Sequence, residues 1–302
     1  MALRPIDNAL PITSERPKKQ AKTIISAHKE KQVVDIGVND ENKAPLSQQS
    51  STEACIDYIS SENLKAFQDP DSKIQGLVEG LESKDWLKVC ESLNDVRRFA
   101  IYHSNLLLPV LDKVVLVMVK AMKNPRSALI KTSIMASSDI FKAFGVKLFD
   151  STSDAINQLL LQLLLKACQD KKFVCEEADR ALLAMVEAMA PLPLLQKLSA
   201  YVGHSNLRVR AKAAISISKC VSKMDLKGMD EFGLGVLIQN ASNLLNDKLP
   251  EAREAARSIV VSLYEAITES NKEDKQEFWQ SFCQSNLPAI HAQAMLKIVS
   301  ST

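Results

Sequence analysis

One pattern constrains this chain more than any other: a pair of amphipathic helices that recurs along the sequence. From about residue 67 onward the apolar residues keep the 3.6-residue period. Leu111, Val115, Met118 and Met122 form one such stripe, and Ala252, Ala255, Ala256, Ile259, Val260 and Leu263 form another. The second helix of each pair is predicted to begin near Trp86, Arg126, Val174, Arg208, Ala252 and Ala289. These starts lie about 34–48 residues apart, a spacing that marks a repeat architecture. The turns inside the pairs look alike: SKDWLKV, KNPRSAL, DKKFVCE, HSNLRVR and DKLPEAR. A single pair cannot bury its own apolar face, so neighbouring pairs must stack, and stacking brings the turns onto one long edge.

The spacing is that of HEAT-like units, two helices each. The expected fold is therefore all-α: an α-solenoid of about six HEAT-like helical hairpins over residues 67–302. Aromatics at 5% and only eight glycines weigh against large sheets. Residues 1–66 differ. They carry Pro5, Pro11, Pro17 and Pro45 and polar tracts such as SQQSST, with little periodic hydrophobicity. Such a segment cannot offset its chain entropy by burial and is expected to be a disordered tail. Its basic cluster, Arg16, Lys18, Lys19 and Lys22, reads as a solvated charge run, with a nuclear signal or an electrostatic tether as the alternatives. Thr23–Val38 has the look of a short partner-binding motif. Helix starts are expected at Asn124-Pro125, at Ser151 with Asp154, and at the His103-Ser104-Asn105 and His204-Ser205-Asn206 stretches.

A net charge of +2 argues against a general nucleic-acid binder. The most apolar stretch, Leu106–Met122, is broken by Pro109, Asp112, Lys113 and Lys120, so no membrane span is expected, and the N-terminus has no apolar run of signal-peptide length. Location is expected to be cytosolic or nuclear. The six cysteines include no CxxC pair and are expected to be buried free thiols. No nucleophile elbow, phosphate loop, dinucleotide fingerprint or HExxH is present, and the four histidines are scattered, so no enzyme, cofactor or metal is expected. Glu176, Glu177 and Asp179 read as acids favoured at a helix start.

The edge is the candidate site. Turn by turn it offers Lys84 and Trp86, then Lys123 and Arg126, then Lys171 and Lys172, then Arg208 and Arg210, then Lys248 and Arg253. One aromatic anchor followed by cations suits a protein partner with an apolar pocket and an acidic surface. Competing structural roles are a Trp86 folded back onto the first repeat and Arg210 and Arg253 bridged to neighbouring repeats.

The stretches KDWLKVCESLNDVRRFA, NPRSALIKTSIMASSDIFKAFG, NLRVRAKAAISISKCV and PEAREAARSIVVSLYEAI carry a resemblance. The block from about residue 73 to 302 resembles a TOG domain, of the kind found in CLIP-associating proteins (the CLASP family) and related ciliary array-regulating proteins. The resemblance implies a flat paddle of six HEAT repeats that binds tubulin or microtubules through its intra-repeat turns. It also implies a cytoskeletal, cytoplasmic, non-enzymatic regulator of microtubule dynamics, with other cytoskeletal proteins as further partners. By position it implies that Trp86 meets β-tubulin, that Arg126 and Lys171 serve the second and third turns, and that Arg208 and Arg253 approach α-tubulin. Many members have arginine three places after the tryptophan, where this chain has Val89. A HEAT/armadillo-type adaptor for a non-tubulin complex is the alternative reading.

Overall fold

The computed structural model of the protein describes residues 58–148, 153–269 and 274–300. The basic cluster at 16–22, the stretch 23–38 and Ser151 lie outside the described residues. Among those residues the regular structure is helical: α1 (Pro70–Leu81), α2 (Trp86–Tyr102), α3 (Ser104–Leu107), α4 (Leu111–Met122), α5 (Ser127–Phe144), α6 (Ser153–Lys166), α7 (Lys172–Ala188), α8 (Pro191–Ser199), α9 (Leu207–Val221), α10 (Leu226–Phe232), α11 (Leu234–Leu245), α12 (Pro250–Thr268), α13 (Lys275–Asn286) and α14 (Ala289–Ser300).

Six hairpins follow, α1–α2, α4–α5, α6–α7, α8–α9, α11–α12 and α13–α14, with α3 and α10 as short connectors. Their second helices pack side by side in the order α2, α5, α7, α9, α12, α14. The first helices form the other layer, α1 against α4 and α4 against α6 at one end, α11 against α13 at the other. The core between the layers is continuous. Leu93, Val96, Phe99, Met118, Ile134, Phe141, Leu160, Leu163, Ala178, Leu195, Ala214, Leu237, Ile259 and Leu263 are all buried. Along the second-helix row the α7–α9 contact is the least extensive, so the stack divides into two triplets. A groove of about 350 Å³ opens there, lined by Leu182, Leu183, Val186, Lys212, Ile215 and Lys219.

Helix starts are written in short polar residues. Asp69 accepts from the Ser72 N–H ahead of α1, and Asp85 accepts from the Leu87 N–H at the head of α2. Asn206 accepts from the N–H groups of Arg208 and Val209 ahead of α9, as expected from the sequence. Two expected caps differ. α5 begins at Ser127 rather than at Pro125, because Asn124 spends its Oδ1 on the Arg126 N–H at 2.9 Å, a turn bond before the helix. His103 caps nothing with its side chain; its ring packs beside Phe67 and Phe99. α5 ends at Gly145, whose φ of 46° favours glycine, and a Cβ there would stand 2.8 Å from the Ala188 carbonyl oxygen.

The boundary at residue 67 falls inside ordered structure. Residues 58–66 lie as a strap across the second-helix layer. Arg97 on α2 donates to the Ile59 carbonyl at 2.7 Å and to Ser61 Oγ at 3.2 Å. Ser61 Oγ donates to Asp139 on α5 at 2.7 Å, and Tyr102 Oη donates to the Leu64 carbonyl at 2.7 Å. Beneath the strap the Arg97–Asp139 ion pair closes at 2.8 Å with both side chains 1% exposed. The polar composition of 58–66 concealed this: its stabilisation comes from hydrogen bonds to a buried pair, with Leu64 the one deeply buried side chain.

Candidate functional site

The intra-repeat turns form one contiguous row, and the links between them can be followed atom by atom. Trp86 opens α2, half-buried, with its ring packed against the first repeat. The Arg126 guanidinium from the second turn lies over the indole, 5.4 Å from its centroid, a cation–π contact. Lys171 in the third turn donates to Ser127 Oγ in the second at 2.7 Å. Arg208 in the fourth turn reaches back to the third, donating to the Cys168 carbonyl at 3.1 Å and to Asp170 at 3.0 Å. Arg210 reaches forward, pairing with Asp247 of the fifth turn at 2.7 Å while a second nitrogen donates to the His204 carbonyl. Arg253 donates to the carbonyls of Asp247 and Lys248 in its own turn.

The ten residues named along the edge sit in or beside these turns and divide by engagement. Arg210 and Arg253 are half-buried and committed to holding turns 4 and 5. Arg208 and Lys171 are exposed but tethered to the preceding turn. Lys172 makes only a loose 3.7 Å contact with Glu176, its side chain 88% exposed. Lys84 and Lys248, with Lys123 beside them, are exposed and enter no side-chain hydrogen bond or ion pair among the described residues. Arg126 is exposed apart from its stack on Trp86. Val89 is 8% exposed, inside the first repeat, so this chain has a core residue where the resemblance would put a cation.

Asp247 is the electrostatic centre of the far half. Burial alone would raise its carboxyl, but the Leu249 N–H and the Arg210 guanidinium outweigh that and hold it below the ordinary value. Asp179 is not a helix-start acid. It sits in the second turn of α7 and takes Lys212 of α9 at 2.7 Å, bridging the two triplets.

Two further rings stand beside the edge. Phe173, the second residue of α7, is 42% exposed, and Tyr58, at the start of the strap, is 41% exposed. The Lys131 ammonium of α5 lies 4.2 Å from the Tyr58 centroid and 5.9 Å from that of Phe173. Phe173 belongs to the third-turn stretch DKKFVCE, where the expected edge residues are only Lys171 and Lys172. Tyr58 was assigned to the tail.

Burial pushes the Cys90 thiol up to about 11 and the Cys220 and Cys283 thiols up to about 12, far from a nucleophile's range. Among the described residues no group of three His, Cys, Asp or Glu side chains could hold a metal ion. No described helix is long and apolar enough to cross a membrane.

A two-layer helical solenoid with a continuous, cation-rich, tryptophan-tipped row of turns is a HEAT-type helical array. The model of the family described as "CLASP N terminal" matches residues 101–285. The chain belongs to this CLASP N-terminal family. The first turn, with Trp86, lies ahead of the matched residues. The chain is 29% identical over 177 residues to the mouse (Mus musculus) TOG array regulator of axonemal microtubules protein 1, an alignment covering 58% of this chain and 10% of that protein. The chain thus spans about a tenth of the length of that curated relative. Among solved structures it is similar to the TOG domain of C. elegans Zyg9, with a TM-score of 0.55 at 15% identity, covering 79% of this chain and 88% of that one. It is also similar to a chain from the structure described as "TOG-tubulin binding specificity promotes microtubule dynamics and mitotic spindle formation", with a TM-score of 0.51 at 13% identity, covering 68% and 80%. The fold is that of a TOG domain.

Proposed function

We propose that this chain is a non-enzymatic, cytoskeletal module that binds tubulin or microtubules along its turn edge and thereby regulates microtubule organisation or dynamics. The observation that carries the reading is the row of turns, in which a half-buried indole, stacked under Arg126, heads a line of exposed cations. The names of the relatives, which concern axonemal microtubules and TOG–tubulin binding, support tubulin as the partner class for such an edge. Trp86 supplies apolar contact at low entropic cost, because Arg126 and the first repeat already fix its ring. Lys84, Lys123, Arg126, Lys172 and Lys248 supply the attraction to an acidic surface. Lys171 and Arg208 contribute while tethered, and Arg210 and Arg253 act mainly by shaping the turns that present the others.

Replacing Trp86 with alanine is expected to weaken tubulin binding at least tenfold, about 1.4 kcal/mol, while the helical fold is retained. The measurements are gel filtration with free tubulin and co-sedimentation with microtubules, with thermal melting alongside. Equal binding by wild type and variant would discard the mechanism. Unfolding of the variant would instead assign Trp86 to capping the first repeat.

A further inference from the structure

We propose that Tyr58 and Phe173, gripping Lys131 between them, form a second aromatic contact for the acidic protein partner of the turn edge; the proposal rests on the reading of that edge as a tubulin-binding surface. Both rings are large and roughly two-fifths exposed. Phe173 is the second residue of a helix whose next residue, Val174, is fully buried and anchors it. Tyr58 begins a strap that is held by Ile59, Ser61 and Leu64 through Arg97, Asp139 and Tyr102.

The strap is what makes Tyr58 more than a stray tail residue. From Tyr58 beside Lys131, one helical turn into α5, it crosses Arg97 of α2 and ends where Leu64 meets Tyr102 at the far end of α2. Lys131 lies one turn below Ser127, the residue to which Lys171 of the third turn is bonded. The ring pair is thus continuous with turns 2 and 3 and placed by a buried ion pair. Rings held in advance lose little freedom on binding. The lysine between them adds a positive charge beside apolar area, the combination that Arg126 and Trp86 make one turn along.

The same features select the kind of partner. Base stacking with phosphate attraction would also use rings and a lysine. However, the groove of about 460 Å³ that Tyr58 and Lys131 help to line interleaves Glu62, Glu177 and Glu187 with Arg97, Lys131, Lys142 and Arg180. A uniformly charged polyphosphate chain finds no unbroken basic track in that mixture, whereas a protein surface with separately placed charges of both signs can match it.

The test compares full-length wild type with Tyr58→Ala, Phe173→Ala and Lys131→Gln, with Trp86→Ala as reference, for affinity to purified tubulin. Tyr58→Ala and Phe173→Ala are each expected to weaken binding about fivefold, with unchanged melting temperatures because the rings are exposed. Lys131→Gln is expected to weaken it about threefold and to reduce the salt dependence. Tyr58→Phe should bind as wild type, since the ring face and not the hydroxyl makes the contact. Wild-type affinity in both alanine variants, with Trp86→Ala impaired, overturns this proposal and leaves the edge reading standing. Absence of tubulin binding by the wild type overturns both. Binding of a single-stranded oligouridine that Tyr58→Ala abolishes replaces the protein partner with a nucleic acid.

Discussion

Arg97 and Asp139 show what a single buried pair can do in this array. At 1% exposure each charge depends on its partner and on the strap for solvation. Replacing Arg97 with methionine would leave Asp139 buried and uncompensated. The expected cost is about 3–5 kcal/mol, read in urea unfolding, and replacing both partners with apolar residues should restore much of it. Asp247 gives a pH signature. Its folded-state value lies below the unfolded one, so the pair with Arg210 stabilises the fold above about pH 4, and that stability is lost as pH falls through the lowered value. Asp247→Asn should therefore lower stability at pH 7 by about 2 kcal/mol and flatten the acid side of a melting-temperature profile. The buried thiols of Cys90, Cys220 and Cys283 should resist alkylation at pH 8 until the protein is unfolded. At this scale the turns and the exceptional place of Trp86 among them were legible, because a large aromatic at a turn tip breaks the pattern around it. The sequence could not pair the charges. Arg210 meets a carboxylate 37 positions away and Arg208 one 38 away, and periodicity says nothing about which of several acids a long side chain will find across a repeat.

The helices themselves were legible. Their stripes are long and regular, and the second helices begin within two residues of the expected starts at all six turns. What failed was local. Asn124 and His103 have the composition of caps but use their side chains otherwise, one on a turn N–H and one in an aromatic cluster. The strap failed for a different reason. Hydrophobic pattern is the main sequence signal for order, and a segment fixed chiefly by backbone carbonyls and one serine carries almost none of it. Element ends are also where single residues decide most. At Gly145 the left-handed φ and the nearby Ala188 carbonyl both exclude a side chain. Gly145→Ala should cost more than about 1 kcal/mol, visible as a lowered urea midpoint, with α5 and α7 the helices whose amide protection falls first.

Across the whole molecule, the apolar layers hold each triplet together. Between the triplets the short α7–α9 contact is assisted by charge: Lys212 with Asp179, their side chains 25% and 42% exposed, and Arg208 with Asp170, 61% and 95% exposed. Tubulin affinity is expected to fall as salt rises from about 50 to 300 mM, since the Debye length shrinks towards the spacing of the contacts. A Lys84→Ala, Lys123→Ala, Lys248→Ala variant should show a shallower fall, whereas Trp86→Ala should keep the wild-type slope at lower affinity. Ion pairs as open as those at the α7–α9 joint are screened by the same salt. Ionic strength is accordingly felt within the array as well as at its docking edge: the ions that weaken attraction to an acidic partner also weaken the charge pairs that join the third and fourth repeats.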